Sequence, residues 1–194
     1  MSAKRRPRRR KKKNGKPQGA IPIVNGIDLD KIFCTMSKKY GLPKLFLKAV
    51  GMVESNLKIK AYRFEPAFWD RYLKDNPDWK DRDPKEVSAS YGIMQIMFVV
   101  ACEAGFSLTP DDLYNPVYNI EIGAKILASN RDSAIKKNFD VKFGLWPLMI
   151  AAAAYNGGRG GNPDDAGNLR NKDYVAKVLI AWERLRETEE ECDD

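Results

Sequence analysis

The chain has no histidine in its 194 residues. That absence excludes Ser-His-Asp and Cys-His catalysis, histidine general bases and histidine-ligated zinc. Acid–base chemistry near neutral pH then falls to Asp, Glu, Lys, Tyr or Cys with a retuned pKa. Cysteine is scarce: Cys34 and Cys102 sit in apolar helical stretches and Cys192 among acids. An odd, sparse count without a spacing signature reads as reduced thiols in a reducing compartment. No apolar run approaches about 18 residues, so no transmembrane helix is expected. The stretch from Gly19 to Asn25 is too short and interrupted for a signal-peptide core, so no Sec-type export signal is expected. The β-branched alternation that a substantial sheet needs is missing as well.

Charge is present but unevenly placed. The net charge is +8, from 34 Lys and Arg against 26 Asp and Glu. Ten of the bases fall within residues 1–20, which hold no acid, so the remainder carries 24 bases against 26 acids. The basicity is a tail. Residues 187–194 form the opposite, acidic end. Blocks of like charge repel and solvate, so both ends are expected to be disordered. The organisation expected is a basic tail and linker over 1–25, one domain over 26–187, and an acidic tail over 188–194.

Between the tails the apolar pattern is helical. Leu29, Ile32, Phe33 and Met36 start a first helix that Gly41 stops. Pro43 at a first-turn position opens a helix over 43–55. Residues 56–91 are irregular, with a short helix over 66–74. The spacing predicts further helices over 92–104, from Asn115-Pro116 to about 137, over 147–156 and over 174–186, with a loop over 160–168. The fold expected is mostly α, a single helical domain.

Three polar residues interrupt the apolar stripes. Glu54 shares a face with Leu47, Val50 and Gly51. A carboxyl there is partly desolvated, which raises its pKa and keeps it protonated for acid catalysis. Gln95 shares a stripe with Phe98, Val99 and Cys102, and Tyr155 follows Leu148, Ala151 and Ala152, beside Asn156. Each alone also has a structural explanation: a solvent-facing helix-end carboxylate, a buried amide, a core tyrosine. Three such exceptions near helix ends point to a shared cleft.

Glu54-Ser55, Gly92-Ile93-Met94-Gln95-Ile96 and Ala153-Ala154-Tyr155-Asn156-Gly157-Gly158 resemble the signature segments of soluble lytic transglycosylases. Leu113 to Pro116 and Asn119 to Gly123 resemble that family's approach to its long helix, and the resemblance runs from about residue 28 to 186. It implies the α+β lysozyme-like fold shared with goose-type lysozyme. It also implies cleavage of the β-1,4 bond between N-acetylmuramic acid and N-acetylglucosamine in peptidoglycan, with a 1,6-anhydro product. Glu54 would be the sole catalytic acid/base, and Tyr155 would contact it through its hydroxyl. Ser55, Met94, Gln95 and Asn156 would hold the substrate, and no metal or cofactor would be needed.

The segment 56–91 is longer than that family's usual connection. It contains Tyr62, Phe64, Phe68, Trp69, Tyr72 and Trp79 together with Glu65, Asp70, Asp75, Asp78, Asp81 and Asp83. The aromatics, with Tyr62 and Trp69 as substrate-binding candidates, read either as a glycan-binding wall or as a lid packed onto the domain. An acid from 65–83 could instead supply the second carboxylate of a muramidase that uses water. A non-catalytic peptidoglycan-binding structural module is a further alternative. The basic tail suits anionic polymers such as teichoic acid, lipopolysaccharide or DNA. The protein expected is a monomer made in the cytoplasm and acting on the cell wall, reaching it within a virion or through a dedicated secretion system.

Overall fold

The computed structural model describes residues 26–192, apart from 108, 145 and 170 and the side chains of 159 and 160. The basic tail and linker over 1–25 lie outside the described residues. Helix α1 (Leu29–Tyr40) starts where the Asp28 carboxylate accepts the Lys31 N–H at 3.1 Å, and ends at Gly41 in the left-handed region. Helix α2 (Lys44–Ser55) follows Pro43. Strand β1 (Tyr62–Phe64) leads into α3 (Pro66–Phe68), which continues as a wide turn over Trp69–Leu73. Then come α4 (Pro84–Val87), β2 (Ala89–Tyr91), β3 (Ile96–Met97) and α5 (Phe98–Glu103). The long α6 (Pro116–Lys136) is capped by Asn115, with proline at its first position. Short α7 (Phe139–Phe143), alanine-rich α8 (Pro147–Gly157) and α9 (Lys172–Arg186) complete the chain.

The molecule is mostly helical, as its periodicity predicts, with one small antiparallel sheet in the order β1-β2-β3. Tyr62 pairs with Tyr91 and Arg63 with Ser90. Helix α6 runs through the core against α1 and α8, and α2 packs on α9, where Phe46 meets Trp182 edge-on at 5.5 Å. Gly123 lets α6 pass close to Met94, whose side chain a Cβ would meet at 2.8 Å.

The single helix expected over 92–104 does not form. Gly92 and Gln95 both adopt positive φ, 70° and 48°, so the chain turns there, adds β3, and becomes helical only at Phe98. The turn is buried, and its polar backbone must be paired. Asn119, 1% exposed on α6, supplies three bonds. Its carbonyl accepts the Met94 N–H at 2.7 Å, and its amide donates to the Tyr91 and Leu113 carbonyls at 2.8 Å each.

Two expectations about the C-terminal end are corrected. Cys34 and Cys192 are joined in a disulfide, with their Cα atoms 5.6 Å apart, while Cys102 is free. Two of the acids before Cys192, Glu189 and Glu191, are docked rather than dispersed. Glu191 accepts the Lys44 N–H at 2.6 Å and the Leu45 N–H at 3.3 Å, so it caps a helix whose own first residue offers no side-chain cap. Glu189 pairs with Lys48, which is 1% exposed and also bonds Asp30 at 3.1 Å. A buried ammonium needs such partners, so this part of the acid run is held by charge that was itself short of counter-ions.

Replacing Asn119 by leucine orphans one buried N–H and two carbonyls, each worth roughly 1–3 kcal/mol when left unpaired. Denaturant unfolding of Asn119→Leu is expected to show a fall in midpoint large enough to identify it as a core change. A variant as stable as the parent would remove Asn119 from this role.

Candidate active site

Glu54 stands one residue from the end of α2. The helix stops because Asn56 and Leu57 take left-handed conformations (φ 54° and 59°), and the Asn56 N–H returns to the Met52 carbonyl at 2.8 Å. Beyond that turn the sheet folds over the helix end and leaves a cavity of about 260 Å³. Glu54 enters it from α2, and Arg63, Ser90 and Met97 enter from the three strands. Glu65 and Phe68 close one side, Gln95 comes from the buried turn, and Tyr155 and Asn156 come from the end of α8.

Four of the eight catalytic and substrate-binding candidates therefore share one cavity, Glu54, Gln95, Tyr155 and Asn156, joined by Glu65 and Phe68 of the aromatic and acidic segment. The other four have different places. The Ser55 hydroxyl donates to the Ile93 carbonyl at 2.7 Å and accepts the Lys58 N–H at 3.1 Å, so both its capacities are taken up by backbone. Met94 is fully buried against Gly51 and Gly123. Trp69 packs on the core and does not line the cavity, and Tyr62 lines a separate depression on the far side of the sheet.

Tyr155 is also corrected in its contact. Its hydroxyl donates to the Met94 carbonyl at 2.7 Å rather than to Glu54. The hydroxyl that reaches Glu54 is that of Tyr174, in the first turn of α9, which donates to Oε1 at 2.6 Å. Tyr174 was missed, although the signal was of the same kind: it lies four residues before Val178 on the buried face of an amphipathic helix.

Burial pushes the Glu54 pKa above the ordinary carboxyl value. The Tyr174 hydrogen bond and the nearby Arg63 guanidinium pull it back, and the Glu65 carboxylate pushes it up again; desolvation prevails. Burial and the Glu54 charge raise the Tyr155 and Tyr174 phenols, so both stay protonated as donors. Glu65 is held by the Arg63 Nε and, at 3.4 Å, by the Ser90 hydroxyl. Of the acids in 65–83, Glu65 is the one that lines this cavity. Among the described residues no group of three or more acids or cysteines is arranged to hold a metal. The arrangement can protonate a bound group from Glu54 and take a proton back from it.

A larger cavity, about 850 Å³, lies under the docked C-terminal segment between α1 and α2. Its buried cations, Lys44 and Lys48, are already tied to Asp30 and Glu189, so it offers no comparable chemistry.

The sequence model of the family described as the transglycosylase SLT domain matches residues 31–177, well over half of the chain. Among solved structures, the chain resembles an inactive mutant of the lytic transglycosylase Slt from Pseudomonas aeruginosa. The TM-score is 0.53 and the identity 18%, and the match covers 89% of this chain but 27% of that one. The chain thus spans about a quarter of that larger protein, and the likeness is one of fold. No curated protein sequence matches.

The raised Glu54 pKa has a signed consequence for stability. The folded protein holds this proton to higher pH than the unfolded chain does, so the contribution is fully present below the unfolded carboxyl value and is lost as pH rises through the folded pKa. Glu54→Gln cannot ionise, so its thermal midpoint relative to the parent is expected to rise from acid to neutral pH. A difference that stays constant or falls over that range would show that Glu54 is not held in a desolvated state.

Proposed function

The chain belongs to the transglycosylase SLT domain family, and on that premise we propose that it cleaves the β-1,4 bond between N-acetylmuramic acid and N-acetylglucosamine in peptidoglycan without consuming water. The observation that carries this reading is Glu54: a desolvated carboxyl, hydrogen-bonded by Tyr174, in the wall of a cavity with amide side chains opposite. Protonated Glu54 donates to the glycosidic oxygen as the C1–O4 bond breaks and oxocarbenium character develops. The substrate's acetamido group stabilises that charge. The ionised Glu54 then takes the proton of the muramyl 6-hydroxyl as its oxygen closes on C1, giving a 1,6-anhydro ring. Protons and bonds balance with no other reactant.

The surrounding residues take supporting parts. Tyr174 holds one carboxyl oxygen, which leaves the other for the proton in flight. Gln95, whose amide nitrogen also donates to the Gly92 carbonyl, keeps its amide oxygen for a bound sugar, and Asn156, whose oxygen accepts from Asn171, keeps its amide nitrogen. Arg63, paired with Glu65 and more than half exposed, offers a cation at the mouth. The basic tail suits anionic polymers of the cell surface, and the Cys34–Cys192 disulfide suits a place of action outside the reducing cytoplasm, reached within a virion or by dedicated secretion.

One observation favours a second reading. Glu65 shares the cavity with Glu54 and could activate a water, making the protein a muramidase. Product masses separate the two: purified peptidoglycan is expected to yield anhydro-muramyl ends, lighter by one water than reducing ends. Reducing ends, abolished in Glu65→Gln, would establish the second reading instead.

Glu54→Gln is expected to lose turnover at or beyond the top of the about 10²–10⁴-fold range of general acid–base groups, while still binding glycan. Near-normal turnover would sink the assignment. Tyr174→Phe removes a donor that favours the ionised carboxyl, so the alkaline limb of kcat/KM is expected to move to higher pH. An unmoved limb would detach Tyr174 from the titration of Glu54.

A further inference from the structure

The sheet that roofs the Glu54 cavity has a second face, and we propose that this face is a non-catalytic binding site for a neutral N-acetylated glycan chain, built on Tyr62, Tyr91 and Tyr114. The alternation of strand side chains makes the two faces distinct. In the β1–β2 ladder, Arg63 and Ser90 point into the Glu54 cavity, whereas the neighbouring pair, Tyr62 and Tyr91, points away from it. Behind them lies an open depression of about 510 Å³, within the roughly 300–1,000 Å³ range of small-ligand sites.

Its floor is aromatic and rigid. Tyr62 and Tyr114 each stand edge-to-face on Tyr91, with ring centroids 5.5 and 5.4 Å away. The Tyr62 hydroxyl donates to the Lys85 carbonyl at 2.8 Å, and the Tyr91 hydroxyl to that of Glu86 at 2.8 Å. Both phenols are therefore used up in fixing their rings, and what the site presents is ring surface. Tyr62 remains 46% exposed, so this aromatic is not spent on the core.

The rim decides the class of ligand. It holds two cations, Arg82 and Lys85, and two carboxylates, Glu86 and Asp111; beside them Lys60 stands 4.6 Å over the Tyr114 ring and the Asp83 carboxylate lies near the Tyr62 phenol, so the signs still match. This balance favours neither a polyanion nor a polycation. It supplies donors and acceptors together around an apolar floor, which is the pattern of a sugar ring: C–H groups on its faces and hydroxyl or acetamido groups at its edge. The choice of an N-acetylated chain rests on the function proposed above. A chain held here while another stretch enters the Glu54 cavity raises the effective concentration of the enzyme on an insoluble polymer.

The test uses the full chain carrying Glu54→Gln, labelled for amide chemical-shift titration, with chitotetraose as the probe. Shifts are expected on Lys85, Glu86 and Asp111, separate from any on Gln95 and Asn156. Tyr62→Ala, which removes one ring contact and one hydrogen bond at a half-exposed position, is expected to abolish the first set and leave the second, with a modest fall in thermal midpoint and the fold retained. Lys85→Glu is the second variant and is expected to weaken the same set. Absence of shifts on Lys85, Glu86 and Asp111 overturns the proposal whether or not the Glu54 cavity responds, as does their survival in both variants. Shifts there, together with failure of the parent chain with Glu54 intact to cleave peptidoglycan, would keep this site and remove the catalytic reading.

Discussion

A buried turn cannot leave its backbone polar groups unpaired, and the turn over 92–95 meets that demand by drawing in side chains from three helices. Asn119 on α6 takes the Met94 N–H, Ser55 on α2 donates to the Ile93 carbonyl, and Tyr155 on α8 donates to the Met94 carbonyl. The Gln95 amide closes the turn onto the Gly92 carbonyl at 3.1 Å. These bonds set the relative positions of the helix end that carries Glu54, the turn that carries Gln95 and the helix end that carries Asn156. The cavity is what remains between three elements so fixed.

Helix α2 is under constraint at both ends. Near its start, Lys48 is buried between Asp30 and Glu189, and the first N–H groups are capped by Glu191 from the far end of the chain. At its other end, Glu54 is desolvated with a single strong donor. The packed middle, from Leu45 to Gly51, is fully buried, which leaves the helix no easy way to shift and relieve either group. Rigidity of the scaffold keeps the carboxyl in an environment that it would leave if it could.

How much of this was legible depends on which force was decisive. The helices α1, α2, α6, α8 and α9 follow from apolar spacing and from punctuation at Asp28, Gly41, Pro43 and Asn115-Pro116, all local signals. The resemblance at Glu54-Ser55, Gly92 to Ile96 and Ala153 to Gly158 picked out segments that the fold brings together, yet it gave Ser55 to the substrate and Tyr155 to Glu54, whereas their hydroxyls donate to carbonyls of the turn. Hydrogen bonds across 38 and 61 residues leave no trace in periodicity. The helix expected over 92–104 failed because Gln95 takes a left-handed conformation that tertiary bonds, not its own preference, sustain. The docked acidic end was unreadable for a similar reason: the partner that orders it, Lys48, looks from sequence like one more surface lysine.

The Cys34–Cys192 bond spans 158 residues, so nearly the whole described chain is a closed covalent ring. A protease acting in the exposed stretch around Lys74, Asp75 and Pro77 would open that ring without dividing the molecule. The helices that frame the cavity would stay tethered to one another through sulfur, and a nicked molecule would still travel as one body until a reductant reached it. The clamp between residues 34 and 192 thus bears on endurance as well as on folding.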